Sequence, residues 1–272
     1  MSKTILITGA SSGIGKATAR YFKEQGWNVV ATMRSPKKEQ ELTALDAVLV
    51  TRLDVQDPAS IRSAVEAGIA RFGKIDVLLN NAGYGAYGPL EATPLEKIRR
   101  QFEVNVIGLL ETTKAVLPHF RANRSGIIIN VSSVGGKMTF PLGTLYHGTK
   151  FAVEGLSEAL SWEMEAIGVN VKIVEPGAIK TDFSGRSFDF TNDEGMVEYQ
   201  PIVKKLLATV GNLTSMASDP TVVARVIYEA ATDGTNQLRY TAGEDAKALM
   251  ASRKGADDAT FLKGIKDRFG LS

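Results

Sequence analysis

The sequence predicts an α/β chain built on one doubly wound parallel sheet of about seven strands, with helices on both faces. Two observations predict it. Seven short runs rich in β-branched residues alternate with longer segments of helical period, and a glycine-rich turn joins the first run to the first helix. Repeated strand–helix alternation means βαβ units with right-handed crossovers. Runs that are continuously apolar, as most of these are, suit strands covered on both faces.

In chain order the expected strands are 4–8, 29–32, 48–53, 77–79, 127–131, 169–174 and, more weakly marked, 238–241. The expected helices are 14–25, 58–72, 97–121, 146–167 and 220–232. The alternation breaks only after Pro176-Gly177. From Phe183 to Met216 runs a stretch with four aromatics (Phe183, Phe188, Phe190, Tyr199) and no strand signal. An insert of that length in a compact domain is usually functional, so 183–217 is expected to be a substrate lid. Ser218-Asp219-Pro220 then reads as a helix cap followed by proline at the first helical position. No internal repeat or low-complexity tract divides the chain, so 1–272 is expected to be a single domain.

Composition narrows the function. The 272 residues are 44% hydrophobic and 23% charged, with 32 basic and 30 acidic side chains, a net charge of +2. So even a balance offers no long-range field for nucleic acid or an anionic membrane. The absence of cysteine removes disulfides, thiolate metal sites and a thiol nucleophile, and two histidines are too few for a His-rich metal centre. No metal is therefore expected. Met1-Ser2-Lys3 runs straight into a strand with no leader pattern, and no apolar run is long enough to span a bilayer. A soluble cytoplasmic protein with a small-molecule partner is the expectation.

The first strand ends in Thr8-Gly9-Ala10-Ser11-Ser12-Gly13-Ile14-Gly15. Glycines there permit a tight turn and let a pyrophosphate approach the amides of a helix N-terminus. Gly9, Ser11, Ser12, Gly13, Ile14 and Gly15 are thus candidate dinucleotide contacts. After the second strand come Met33 and Arg34. No carboxylate awaits a free ribose 2′-hydroxyl, whereas the Arg34 guanidinium suits a 2′-phosphate, so NADP(H) is the expected cofactor. Lys37 and Lys38 add positive field.

Tyr146 and Lys150 are four apart in a helix-period segment and share a face. A phenol of pKa about 10 is a poor proton shuttle at neutral pH, and a nearby ammonium is expected to lower it. Thirteen positions before Tyr146, Ser133 follows the fifth strand, at the carboxyl edge of the sheet where ligands bind. Ser132 competes for this role, but the spacing and the following Val134-Gly135-Gly136 favour Ser133.

Six motifs in order resemble the short-chain dehydrogenase/reductase family in its compact single-domain branch. They are Thr8-Gly9-x-x-x-Gly13-x-Gly15, Asp54-Val55, Asn80-Asn81-Ala82-Gly83, Asn105, Ser133 with Tyr146-x-x-x-Lys150, and Pro176-Gly177-x-x-x-Thr181. The resemblance implies a Rossmann-type sheet in the order 3-2-1-4-5-6-7 and a nicotinamide cofactor. It places Asp54 beside the adenine amino group with Val55 packing the ring. It puts Asn81, Ala82 and Gly83 along the riboses, with Asn80 structural in that turn. Pro176, Gly177, Ile179 and Thr181 receive the nicotinamide, and Lys150, beside Tyr146, also holds its ribose. Asn105 anchors a water linking the lysine to solvent. The implied reaction is hydride transfer between NADP(H) and a carbonyl or secondary alcohol: Ser133 bonds the carbonyl oxygen, Tyr146 donates the proton, and Lys150 with Asn105 resupplies it.

Candidate substrate contacts, besides Ser133, are Gly85, Met138, Phe140, Leu142, Phe183 and Phe188. Their apolar character favours a lipophilic or aromatic ketone or aldehyde, although the same aromatics would equally serve to pack the lid. The pattern, including the tail 239–247, is similar to relatives named for 17β-hydroxysteroid or retinol dehydrogenation, of which only the reaction is carried over. Two alternatives stand beside this reading. One is a 3-oxoacyl-carrier-protein reductase, for which Arg99, Arg100, Arg121 and Arg124 would dock the carrier. The other is a non-catalytic NADP(H)-binding regulator, which would be expected to lack the Tyr or Lys. His119 reads as a surface or helix-end residue, His147 as packing, and Trp162 and Met164 as core or oligomer contacts. Family members pair through the helices matching 97–121 and 146–167, which implies a homodimer or homotetramer.

Overall fold

The computed structural model describes residues 2–181 and 187–271, and of 210–216 the backbone alone. In chain order the elements are β1 (Thr4–Ile7), α1 (Gly13–Glu24), β2 (Asn28–Met33), β3 (Val48–Arg52), α2 (Pro58–Phe72), β4 (Val77–Asn80) and β5 (Gly85–Tyr87). There follow α3 (Leu95–Phe102), a π-helical turn (Glu103–Ile107), α4 (Gly108–Asn123), β6 (Gly126–Val131), α5 (Thr144–Glu165) and β7 (Val169–Pro176). The chain continues through β8 (Phe188–Phe190), α6 (Gln200–Met216), α7 (Pro220–Thr232), β9 (Arg239–Ala242), α8 (Glu244–Lys254) and α9 (Asp258–Arg268).

The main sheet has the order β3-β2-β1-β4-β6-β7-β9 with every pairing parallel. Counted within the sheet, this is the 3-2-1-4-5-6-7 order that the resemblance implies. All seven expected strands are present: β1, β2, β4, β6 and β7 are apolar runs buried almost throughout on both sides, whereas the edge strands β3 and β9 are only partly covered. Along β1, Ile5 and Ile7 join Phe22 of α1 and Ile227 of α7 in one core, while Leu6 joins Val65 of α2, Phe120 of α4 and Met164 of α5 in the other. Each such fully buried side chain contributes about 1.5–3 kcal/mol. A third core gathers Val134, Leu206 of α6, Ala246 of α8 and Phe261, Ile265 and Phe269 around α9, over one end of the sheet edge.

Three expectations are corrected. The helical segment at 97–121 is not one helix: it is interrupted by the π turn that holds Asn105, whereas Pro118 is accommodated inside α4. The stretch 183–216 does contain a strand: β8 pairs in parallel with β5, Gly85 opposite Phe188, and α6 follows. Three-residue strands are too short to leave a periodic signal. His119 is more than a helix-end residue, since its ring accepts a hydrogen bond from the Ile75 amide at 3.2 Å and ties α4 to the start of β4. Met164 is core, while Trp162 is exposed. Among the described residues no helix is long and apolar enough to cross a membrane.

Candidate active site

Because all seven strands run the same way, their carboxyl ends open on one edge, where a cleft of about 1180 Å³ lies. Its floor at one end is the glycine turn. Gly9 and Gly13 have φ of +70° and +54°, the left-handed region that glycine adopts without strain. Gly15 lies behind the cleft wall; a Cβ there would overlap the Gly9 carbonyl oxygen and stand 2.6 Å from the Asn81 side-chain nitrogen. That nitrogen donates to the carbonyls of Thr8 and Gly9 at 2.9 and 3.2 Å, and the Thr8 hydroxyl accepts from the Asn81 and Ala82 amides. The clamp on the turn is therefore Asn81. Asn80, expected to be structural in the turn that carries Asn81–Gly83, bonds its side chain to Thr113 and Asn130, between β4, α4 and β6.

Around the turn the walls include Ser11, Ser12, Ile14, Arg34, Lys38, Asp54, Val55, Ala82 and Gly83. Glu39 also lines this end, but Lys16 pairs with it at 3.1 Å and the Leu42 amide donates to it. The first turn of α1 holds no carboxylate. On the far side, Pro176, Gly177, Ile179 and Thr181 follow β7, and the Thr181 side chain lies 3.1 Å from where a Gly13 Cβ would be. This loop is pinned by Asp245, whose Oδ2 accepts from the Ala178 amide at 2.7 Å.

At the middle of the cleft Ser133, Tyr146 and Lys150 converge. Ser133 begins the turn after β6, its hydroxyl accepting from the Gly135 amide at 3.0 Å and sharing a hydrogen bond with the Tyr146 phenol. Ser132 instead turns its hydroxyl toward Gly136, so Ser133 is the serine at the tyrosine. Tyr146 stacks on Tyr87 at 5.4 Å. The Lys150 amine donates to the Val131 carbonyl at 2.8 Å and stands 5.8 Å from the Tyr146 ring centre.

The expected acidic phenol is corrected. Burial pushes the Tyr146 phenol up, and the Ser133 hydrogen bond only partly reverses this. Burial also pushes the Lys150 amine down to about 8, against the pull of Glu154. Desolvation penalises each charged form and is the largest cause at both groups. A phenol that keeps its proton suits a proton donor.

Beyond Tyr146 the cleft is walled by Tyr87, Phe140, Phe188, Leu206, Leu249 and Phe269. The His147 ring braces this wall. Its Nε2 accepts from the Phe140 amide at 3.0 Å, so Nδ1 carries the proton and donates to the Gly135 carbonyl at 2.9 Å. Besides Gly15, four expected site residues are absent from the walls among the described residues. Gly85 is taken up in the β5–β8 ladder, Met138 is buried in the third core, and Leu142 packs against that core. Asn105 is buried behind the wall, its side chain spent on Tyr84 and Thr149. Phe183 lies outside the described residues. Leu206, Leu249, Phe269 and Asp245 were not foreseen: they come from chain 60 or more residues beyond Tyr146, and no motif marks them.

The short chain dehydrogenase profile matches residues 3–192. An uncharacterized oxidoreductase of Schizosaccharomyces pombe is 49% identical over 244 residues, 88% of this chain and all of that one. The chain belongs to the short-chain dehydrogenase family. A 3-ketodihydrosphingosine reductase of Bacteroides thetaiotaomicron is 44% identical over 180 residues, 66% of this chain and 65% of its own. A crystal structure of a short-chain dehydrogenase from Streptomyces avermitilis superposes with a TM-score of 0.84 at 32% identity, covering 100% of this chain and 98% of that one.

The short-chain dehydrogenase sheet binds a nicotinamide cofactor, and the residues present fit one. Side-chain-free Gly9 and Gly13 leave the α1 N-terminus open to a pyrophosphate, with no first-turn carboxylate to repel it. Among the described residues no group of three or more His, Asp or Glu could hold a metal.

Proposed function

We propose that this oxidoreductase is an NADP(H)-dependent carbonyl reductase, working on a lipophilic or aromatic ketone or aldehyde and, in reverse, on the secondary alcohol. The observation that carries this reading is the meeting of the Ser133 and Tyr146 hydroxyls at the cleft wall, between the glycine turn and the aromatic pocket. One hydroxyl proton is used while Ser133 and Tyr146 bond each other; a carbonyl oxygen that takes the place of that bond can accept from both. The turn residues, Arg34, Asp54, Val55, Asn81, Ala82, Gly83, Tyr146, Lys150 and the Pro176–Thr181 loop would hold the cofactor, which when bound supplies the hydride. Ser133 orients the carbonyl oxygen. Tyr146, protonated at neutral pH, delivers its proton to that oxygen as negative charge develops there. Lys150, whose amine stands 5.8 Å from the phenol ring centre, replaces the proton.

Arg34, exposed on the wall at the end of β2, supports NADP(H) over NAD(H), for the reason of charge given above. The apolar walls support a lipophilic substrate, as does the similarity to a reductase named for a long-chain keto-lipid. The part of the 183–217 segment that is described, through Phe188 and Leu206, closes one side of that pocket, which supports a lid. Phe102, Ile107 and Phe151 are exposed on α3, the π turn and α5, which supports self-association through those helices. Of the arginines that the carrier-protein alternative would use, Arg100 lines the cleft, whereas Arg121 and Arg124 lie before the start of β6, at the opposite edge of the sheet from Ser133, so only part of that patch stands beside the site.

The test is a panel of ketones and aldehydes assayed by nicotinamide absorbance with NADPH and NADH. Turnover of lipophilic carbonyls, faster with NADPH, is expected. No turnover of any carbonyl, or a clear NADH preference, would overturn the corresponding half of the proposal.

A further inference from the structure

Apart from the cofactor end of the cleft and Lys150, the charged side chains that line it among the described residues are Arg100, Asp189, Asp245 and Arg268. Both carboxylates are engaged by the protein itself. Asp189 pairs with Lys97 at 2.7 Å, and Asp245 accepts from the Ala178 amide at 2.7 Å. Among the described residues neither arginine is held by a carboxylate. The two differ in place. The Arg100 guanidinium lies over the Tyr84 ring at 5.1 Å. Arg268 stands at the far end of the aromatic wall. Ring contacts run from Tyr146 to His147 at 5.5 Å, from His147 to Phe140 at 5.5 Å, and from Phe140 to Phe269 at 6.2 Å.

A cation is out of pattern at this position of α9. Phe261, Ile265 and Phe269 recur every four residues and build the third core. Residue 268, seven places after Phe261 and three after Ile265, falls on the same stripe, where helical periodicity calls for an apolar side chain. Arg268 is instead exposed, and it lines the cleft. The helix end that carries it is anchored: Phe269 is buried, and the Lys205 amine of α6 donates to the Gly270 carbonyl. A guanidinium on a fixed backbone, closing an apolar wall, offers a planar fork that matches a carboxylate.

We propose that Arg268 is a specificity-determining residue: it receives a carboxylate at the end of the substrate remote from the reacting carbonyl, so the preferred substrate is an apolar keto acid and not a neutral ketone. Phe140, Leu206, Leu249 and Phe269 line the apolar span between the two ends. The inference rests on the reading of this cleft as that of a carbonyl reductase, and it names the class of substrate within that reading.

The experiment compares oxo fatty acids of graded chain length, each with its ketone next to the terminal methyl, against their methyl esters. Binding is measured by calorimetry with excess NADP+ present, which has no hydride to give, and turnover by NADPH absorbance. At the chain length that spans the cleft, the acid is expected to bind about tenfold or more tighter than its ester, with kcat/KM higher by a similar factor. Arg268→Gln should bring the acid down to the level of the ester, and Arg100→Gln should keep the difference. Acid and ester bound alike at every chain length, a difference that survives Arg268→Gln, or one lost equally in Arg100→Gln, overturns the proposal. Should Arg268→Gln fail to fold, Arg268→Lys decides alone: it keeps the charge, and acid and ester bound alike by it would overturn the assignment. Calorimetry needs no hydride transfer, so the binding preference is read whether or not the wild type reduces any carbonyl.

Discussion

Asn105 is bonded to both backbone groups of Tyr84: its Oδ1 accepts from the amide at 3.1 Å and its Nδ2 donates to the carbonyl at 2.9 Å. The second Nδ2 hydrogen goes to the Thr149 hydroxyl at 3.1 Å. One side chain in a π turn thus joins the loop after β4, which carries Gly83, to the helix that carries Tyr146 and Lys150. Both amide hydrogens are spent, so the water-anchoring role implied by the family resemblance does not fall to them. Insertions of this kind in helices often mark functional sites.

Asn105→Ala should therefore act first on stability. It leaves the part-buried Tyr84 amide without its partner, while the Tyr84 carbonyl keeps the Gln101 side chain at 3.0 Å, so the cost is about 1–3 kcal/mol, that of one unpaired group. Urea denaturation measures it. A loss under about 0.5 kcal/mol would show that the junction is held elsewhere.

Tyr146→Phe keeps the ring stacked on Tyr87 and removes only the hydroxyl bonded to Ser133. Turnover is expected to fall by about 10²–10⁴-fold, the range for loss of a positioned proton donor. NADPH binding, followed by fluorescence, should stay near wild type. Substantial residual turnover would move the proton donor elsewhere.

Arg34→Ala tests the cofactor preference. Loss of one charge-assisted contact, about 1.5–3 kcal/mol, corresponds to roughly a 10- to 100-fold drop in kcat/KM for NADPH. The same constant for NADH should hardly change. Equal losses with both cofactors would place Arg34 away from the 2′-phosphate.

Gly15→Ala has no room for its methyl group between the Gly9 carbonyl and the Asn81 amide. The conflict is with backbone, so side-chain rotation does not relieve it. Loss of NADPH binding together with a lower melting temperature is expected. Wild-type binding in this variant would mean that the turn adjusts freely.

His147 links stability to pH. Burial pushes its ring below the ordinary value of 6.5, with the Gly135 carbonyl acting the other way, and the neutral ring is the form that accepts from Phe140. A group whose folded value is lowered contributes fully above its unfolded value and loses that contribution as pH falls through the folded one. Wild-type stability should thus decline below about pH 6.5 more steeply than that of His147→Gln, measured by urea midpoints between pH 7.5 and 5. Parallel declines would clear His147 of the effect.

Much of this protein is determined by its sequence alone. The five central strands are legible because each is an apolar run buried on both faces, and the partly covered edge strands β3 and β9 follow from the same strand–helix alternation. The glycine turn, and Tyr146 with Lys150 one helical turn apart, are likewise encoded within a few residues. Only the tertiary structure decides the rest: that Asn81 clamps the glycine turn, that β5 finds β8 across some hundred residues, that Asp245 pins the loop after β7, and that Glu154 and Glu175 share Arg239. The reason is physical. Periodicity and turn chemistry act between neighbours in the chain, whereas desolvation and hydrogen-bond pairing in a packed cleft depend on which distant segments the fold brings within about 3 Å.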